Sequence, residues 1–184
     1  ALPIFIAARV VEGAPDFLRQ AAQRVAYAPW LVANLHLREP LRDRPGAAPS
    51  WDNVLFDGVE GVDGVQGVGG LGYVDATHQR LQAQSGATVL THYRALGDFS
   101  GGTSGGASVA GLPIGAAGRA WLLSRPWADW RDQILAELSL AHPDLVAKTT
   151  AVDITRYGHA MAIPVPNVNG QIGFWPSSNK REQL

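Results

Sequence analysis

The chain has no cysteine and a single methionine, and only 17% of its 184 residues are charged. Without cysteine there is no disulfide framework, no iron–sulfur cluster and no thiolate zinc site, a composition that suits a reducing compartment. We therefore expect a cytoplasmic protein. Lys and Arg total 15 against 16 Asp and Glu, a net charge of −1. That balance offers no basic stripe to displace counterions from phosphates, so nucleic acid is not an expected partner. Long apolar runs are missing as well. Residues 2–11 are interrupted by Arg9 and fall short of the roughly 18 residues that a membrane span requires, so no span is expected. The N-terminus also lacks the basic region of a secretory signal, and its first residue is not Met.

The 46% of hydrophobic residues suffices for a sizeable core within one domain of ordinary size. Residues 3–11 are short, apolar and rich in branched side chains, which predicts a buried strand. Residues 14–25 follow with Phe17, Leu18, Ala21, Ala22 and Val25 at helical spacing behind Pro15-Asp16. Leu31, Ala33, Leu35 and Leu37 alternate with Val32, Asn34 and His36, the period of a half-buried strand. Residues 51–56, 71–77 and 87–94 read as further strands, the last with Val89, Thr91 and Tyr93 on one face and Leu90 and His92 on the other. Trp127, Trp130, Ile134, Leu138 and Ala141 recur at three- and four-residue steps behind Pro126, with Ser124 as a candidate cap and Glu137 assigned to the opposite side. A final strand over 148–157 alternates Val152, Ile154 and Arg156 with Ala151, Asp153 and Thr155, and leads into a corner at Gly158-His159. The expected fold is α+β: a mostly antiparallel or mixed sheet of about six strands with helices on one face. Two glycine-rich stretches, 58–70 with its Gly-Val-X repeat and 98–118, are expected to be flexible insertions.

Several short motifs match by letter and fail by context. Gly67-Val68-Gly69-Gly70-Leu71-Gly72 satisfies the G-x-G-x-x-G pattern, yet strand-like residues follow it where a dinucleotide fold requires a helix. Gly102-Thr103-Ser104-Gly105-Gly106 satisfies G-x-S-x-G, and Asp144 with His159 would complete a serine-hydrolase triad in the chain order of an α/β-hydrolase. A nucleophile elbow needs a strand before it and a helix after it, whereas Ser104 sits among glycines. The five histidines (His36, His78, His92, His142, His159) show no paired metal-ligand spacing, so no metal is expected. Of the six tryptophans, Trp127 and Trp130 are assigned to the core, while Trp30 and Trp51 could cap the core or line a pocket.

Three segments carry a resemblance. Tyr27-Ala28-Pro29-Trp30-Leu31-Val32-Ala33-Asn34-Leu35, then Trp51-Asp52-Asn53-Val54 with Leu71-Gly72-Tyr73-Val74-Asp75-Ala76-Thr77-His78-Gln79, then Arg156-Tyr157-Gly158-His159-Ala160-Met161-Ala162-Ile163-Pro164 resemble the substrate-domain portion of bacterial flavin-containing amine oxidase-like oxidoreductases. The likeness implies that residues 1–184 are the substrate-binding portion of an FAD-dependent enzyme that oxidises amine-type small molecules by hydride transfer to flavin. In that family a Rossmann unit and a C-terminal glycine- and acid-containing segment grip the FAD, and neither occurs in these residues. The implied partner is therefore a flavin-binding domain of the same polypeptide, without which the chain would be inactive. The resemblance nominates His78, Tyr93, Tyr157 and His159 to line the substrate cavity. Gly158 is nominated to let the backbone approach the flavin. The competing expectation is a stand-alone binding or assembly module without catalysis, and a lesser one is the hydrolase using Ser104.

Overall fold

The computed structural model describes residues 2–42, 50–55, 70–79, 86–97 and 114–163. Backbone contacts divide the chain into two units, residues 1–27 with 162–184 and residues 28–161. The first unit holds a pair of helices, α1 (Ile4–Val10) and α2 (Asp16–Arg24). The expected strand over 3–11 is thus corrected to helix. A short apolar run does not reveal its period, and here Pro3 ends in the extended N-cap position while Ala7, Ala8 and Arg9 favour the helix. The Tyr27 hydroxyl accepts the Ile4 N–H at 3.0 Å, satisfying one of the donors that a helix start leaves open. Phe5 packs edge-on against the same tyrosine ring, with centroids 5.1 Å apart. Gly13, at φ 65, turns the chain between the two helices.

The second unit is built on one antiparallel sheet. Its strands are β1 (Tyr27–Leu37), β2 (Asp52–Asn53), β3 (Gly72–Asp75), β4 (Thr88–Ala95) and β5 (Thr149–Ala162), in the order β2-β3-β4-β1-β5. Five strands are present among the described residues where about six were expected, and the α+β class holds. β1 pairs with β4 through Val32 opposite Tyr93 and Leu35 opposite Leu90, and β3 pairs with β4 through Gly72 opposite Tyr93.

Three helices cover one face: α3 (Ala116–Ser124), α4 (Trp127–Ser139) and the short α5 (Leu145–Lys148). Leu31, Leu35 and Leu37 of β1, with Leu90 of β4, point at Leu122 of α3, Trp130, Ile134 and Leu138 of α4, and Leu145 of α5. All of these are essentially inaccessible to solvent. The alternation read from the sequence is therefore the alternation of the sheet, inward toward the helices and outward away from them.

Local corrections follow from packing. Trp127 was assigned to the core with Trp130, but it is 45% exposed at the first turn of α4, where the Arg131 guanidinium covers its ring at 5.0 Å. Glu137, assigned to the solvent side of α4, is 2% exposed. Ser124 does not cap α4; Pro126 holds the N-cap position, and the Ser124 hydroxyl donates to the Trp121 carbonyl. β5 does not turn at Gly158-His159 but continues to Ala162. Of the two glycine-rich insertions, residues 58–69 and 98–113 lie outside the described residues. The end of the second is regular structure: Ala116, Ala117 and Gly118 open α3. Gly118 is buried there, and a Cβ would stand 1.9 Å from the Leu96 carbonyl oxygen.

Candidate functional site

The sheet face away from α3 and α4 gathers three of the four nominated side chains. On β4, Thr88, Leu90, His92 and Arg94 are buried toward the helices, so Val89, Thr91 and Tyr93 face outward. On β5, Asp153 meets His36 at 2.8 Å, while Arg156 reaches the Leu123 and Arg125 carbonyls at the end of α3. Asp153 therefore points outward, Arg156 points toward the helices, and the two-residue period sends Tyr157 and His159 outward with Asp153. Counting antiparallel from the His36–Asp153 contact, Tyr157 lies level with Val32 and His159 level with Trp30. Val32 is in turn opposite Tyr93, and the Trp30 and Tyr93 rings are 6.5 Å apart.

The result is a continuous strip of Tyr93, Trp30, Tyr157 and His159 across three strands. Tyr157 is 49% exposed, and His159 is exposed beside it. Gly72 lies opposite Tyr93 on β3 and adds no side chain at that level. Its φ of +121 and the Asn53 carbonyl oxygen, 2.0 Å from where a Cβ would stand, restrict the position to glycine. Burial raises the Tyr93 hydroxyl above its ordinary pKa, and the Asp52 carboxylate adds to the effect. Partial desolvation against the sheet lowers the pKa of the otherwise exposed His159, helped by the positive charge of Arg119. Both shifts favour the neutral form, which suits hydrogen bonding to a polar small molecule better than charge pairing.

His78 stands apart from the other three. It lies on the 3₁₀ turn Ala76–Gln79, which leaves β3 after Asp75. Asp75 is opposite Leu90, three residues along β4 from Tyr93, so the turn departs about 10 Å or more along the sheet from the strip. Gly158 faces the helix side, where a Cβ would contact the Arg119 side chain at 3.6 Å. A flavin ring meeting Gly158 would have to reach its main chain from the outer face or the sheet edge.

The competing motifs resolve differently. The residues after Gly70 form β3 rather than a helix, so the G-x-G-x-x-G letters lack the setting of a dinucleotide turn. Ser104 lies outside the described residues. Its supposed partners are far apart, because Asp144 precedes α5 and His159 is ten residues along β5 from Thr149, about 33 Å of extended chain. Asp144 is engaged instead with Lys148 at 2.8 Å and the Arg42 N–H at 3.0 Å. No group of three or more metal-ligating side chains is present among the described residues. No described helix is long and apolar enough to cross a membrane.

The opposite, helix-covered face carries a polar network that sequence reasoning missed. Arg94 donates to the Glu137 carboxylate and, at 3.0 Å, to the Gln133 side-chain oxygen. Glu137 Oε1 also accepts the Gly70 N–H at 2.7 Å and lies 3.4 Å from His92 Nε2. Burial alone would raise the Glu137 pKa, but hydrogen bonding and charge from His92, the Arg94 guanidinium and the Gly70 N–H outweigh it and bring it down to about 2. Alongside, the buried Tyr73 hydroxyl meets His142 Nε2 at 2.5 Å. The one available signal was the alternation of β4, which places His92 and Arg94 on the same side as Leu90 and so demands buried partners for both. No family model and no curated protein matches the chain.

Proposed function

We propose that this chain supplies the substrate side of a flavin-dependent, amine oxidase-like oxidoreductase, with the outer sheet face as the wall against which an amine-type substrate lies. One observation supports this reading above the others: Tyr93, from one segment, and the Tyr157/His159 pair, from another, share the exposed face of one sheet and flank Trp30. The α+β fold with a single antiparallel sheet agrees with the substrate-domain resemblance. In this reading FAD is held by a flavin-binding domain of the same polypeptide and supplies the hydride-accepting chemistry. The residues of this chain orient the substrate, through apolar contact with Trp30 and Tyr157 and hydrogen bonds from the Tyr93 hydroxyl and the His159 ring.

Amide chemical-shift mapping of the purified chain tests it. A panel of primary, secondary and tertiary amines should shift the signals of Trp30, Tyr93, Tyr157 and His159. Tyr157→Ala should weaken the best ligand by roughly tenfold, the loss of one apolar contact of about 1.4 kcal/mol. Shifts that scatter over the surface, or that centre elsewhere and survive Tyr157→Ala, would reject this face as the substrate wall. A protein that purifies with bound flavin would reject the assignment of the cofactor's grip to another domain.

A further inference from the structure

β5 is the last strand of the sheet and runs for 14 residues, more than twice the usual strand length of about six. Among the described residues, no strand pairs with its outer edge. Such an edge is a template for another chain, and proteins ordinarily blunt it with proline, lysine, a bulge or a covering segment. Residues 149–162 contain neither proline nor lysine, and Thr149, Thr150, Val152, Ile154, Thr155 and Tyr157 all favour strand. Arg119 of α3 reaches this edge. The Ile163 N–H donates to the Ala26 carbonyl, which turns the main-chain bonds of the odd-numbered residues toward β1 and those of the even-numbered residues outward. The Gly158 carbonyl is one of the outward groups, and Arg119 Nε of α3 donates to it at 2.8 Å.

We propose that Arg119 is an edge guard that prevents β5 from pairing with β5 of a second copy of this chain. A two-fold antiparallel pair centred on Thr155 would set Thr155 against its counterpart, Ile154 against Arg156 and Asp153 against Tyr157. No like charges stand directly opposite each other in that register, and the two Arg156 side chains, diagonal neighbours across the pair, are held back on the Leu123 and Arg125 carbonyls, so charge does not forbid the pairing. In the same register the Gly158 carbonyl would accept the Val152 N–H of the copy. A carbonyl can accept two hydrogen bonds, but Arg119 Nε stands 2.8 Å from this oxygen, so guard and copy compete for the space at its edge. Arg119 holds it from within the fold, at the effective concentration of an intramolecular contact.

Sedimentation velocity of the full chain over a wide concentration range tests the proposal. Wild type should sediment as a monomer, whereas Arg119→Ala and Arg119→Gln should self-associate at least tenfold more tightly, with unchanged far-ultraviolet circular dichroism. Ala160→Pro provides the second arm. Ala160 is exposed and even-numbered, so proline there removes a donor from the edge without removing a bond to β1. The double variant Arg119→Ala/Ala160→Pro should return to monomer. If either Arg119 variant keeps the wild-type sedimentation profile, or if its association survives Ala160→Pro, Arg119 does not guard this edge. Wild type that is already a dimer, with an affinity unaltered by Arg119→Ala, refutes the idea equally.

Discussion

Replacing Glu137 with glutamine should cost this fold about 3 kcal/mol at neutral pH, and the figure can be reached from two directions. The first is linkage: the carboxyl pKa falls from 4.5 to about 2 on folding, and at about 1.4 kcal/mol per unit that depression is worth about 3 kcal/mol. The second is pairing. Glutamine keeps the shape but offers one acceptor where the carboxylate serves the Gly70 N–H, the Arg94 guanidinium and His92. It also leaves the buried Arg94 without its counter-charge, and breaking a buried pair in this way costs about 3–5 kcal/mol. Urea titrations of both proteins between pH 7 and pH 2.5 separate this from a simple packing defect. The folded carboxyl has the lower pKa, so its contribution is complete above the unfolded value near 4.5 and is lost as pH falls toward about 2. Wild type should therefore lose stability across that window, and the gap to Glu137→Gln should close in parallel. Removing both charges with Arg94→Met/Glu137→Gln should recover part of the loss, because no unpaired guanidinium remains. A single variant within about 0.5 kcal/mol of wild type, the order of the extrapolation error, would show that the network does not hold the fold.

Two further outcomes follow from close contacts and charge. Gly118→Ala in α3 should lower the melting temperature, although alanine is the better helix former by about 1 kcal/mol, because the new methyl would stand 1.9 Å from the Leu96 carbonyl oxygen of a neighbouring segment; a rise in differential scanning calorimetry would mean that α3 can shift away without loss. His159 should titrate below the ordinary histidine range by proton NMR, and Arg119→Gln should move it upward, since burial and the Arg119 charge both lower it; an unmoved titration would remove Arg119 from the electrostatics of the outer face.

Local patterning made much of the sheet legible and its partners much less so. The alternation of Leu31, Ala33, Leu35 and Leu37 with Val32, Asn34 and His36 survives unchanged as the two faces of β1, because a strand exposed on one side imposes its period on composition. The helical spacing of Trp130, Ile134 and Leu138 likewise became the buried stripe of α4. Residues 4–10 offered no such test: a short apolar run fits either period, and contacts with Tyr27 accompany the helix. Glu137 was illegible from α4 alone, since its burial depends on Arg94 and His92, more than forty residues earlier in sequence. Gly158-His159 read as a corner because glycine is punctuation in most strands. In the fold β5 runs straight through that glycine, where a Cβ would meet Arg119 only at ordinary contact distance, and its carbonyl accepts the Arg119 Nε–H, a long-range contact that no local pattern announces.

The buried network and the exposed aromatic strip are two consequences of one register. β4 sends His92 and Arg94 to the helix side and Thr91 and Tyr93 to the other, and a slip of one residue would exchange the two sets. A purely apolar inner face would resist that slip only through side-chain shape. Here the slip would also pull Arg94 away from Glu137 and Gln133 and drive the Tyr93 ring into the space that Arg94 fills beside Trp130. The Glu137 contact to the Gly70 N–H extends the constraint to β3, since Gly70 directly precedes the Leu71 N–H that donates to the Tyr93 carbonyl at 2.8 Å. Glu137 thus ties together the two strands whose outer residues border the strip at Tyr93, and a carboxylate with no contact to the outer face helps fix what that face presents.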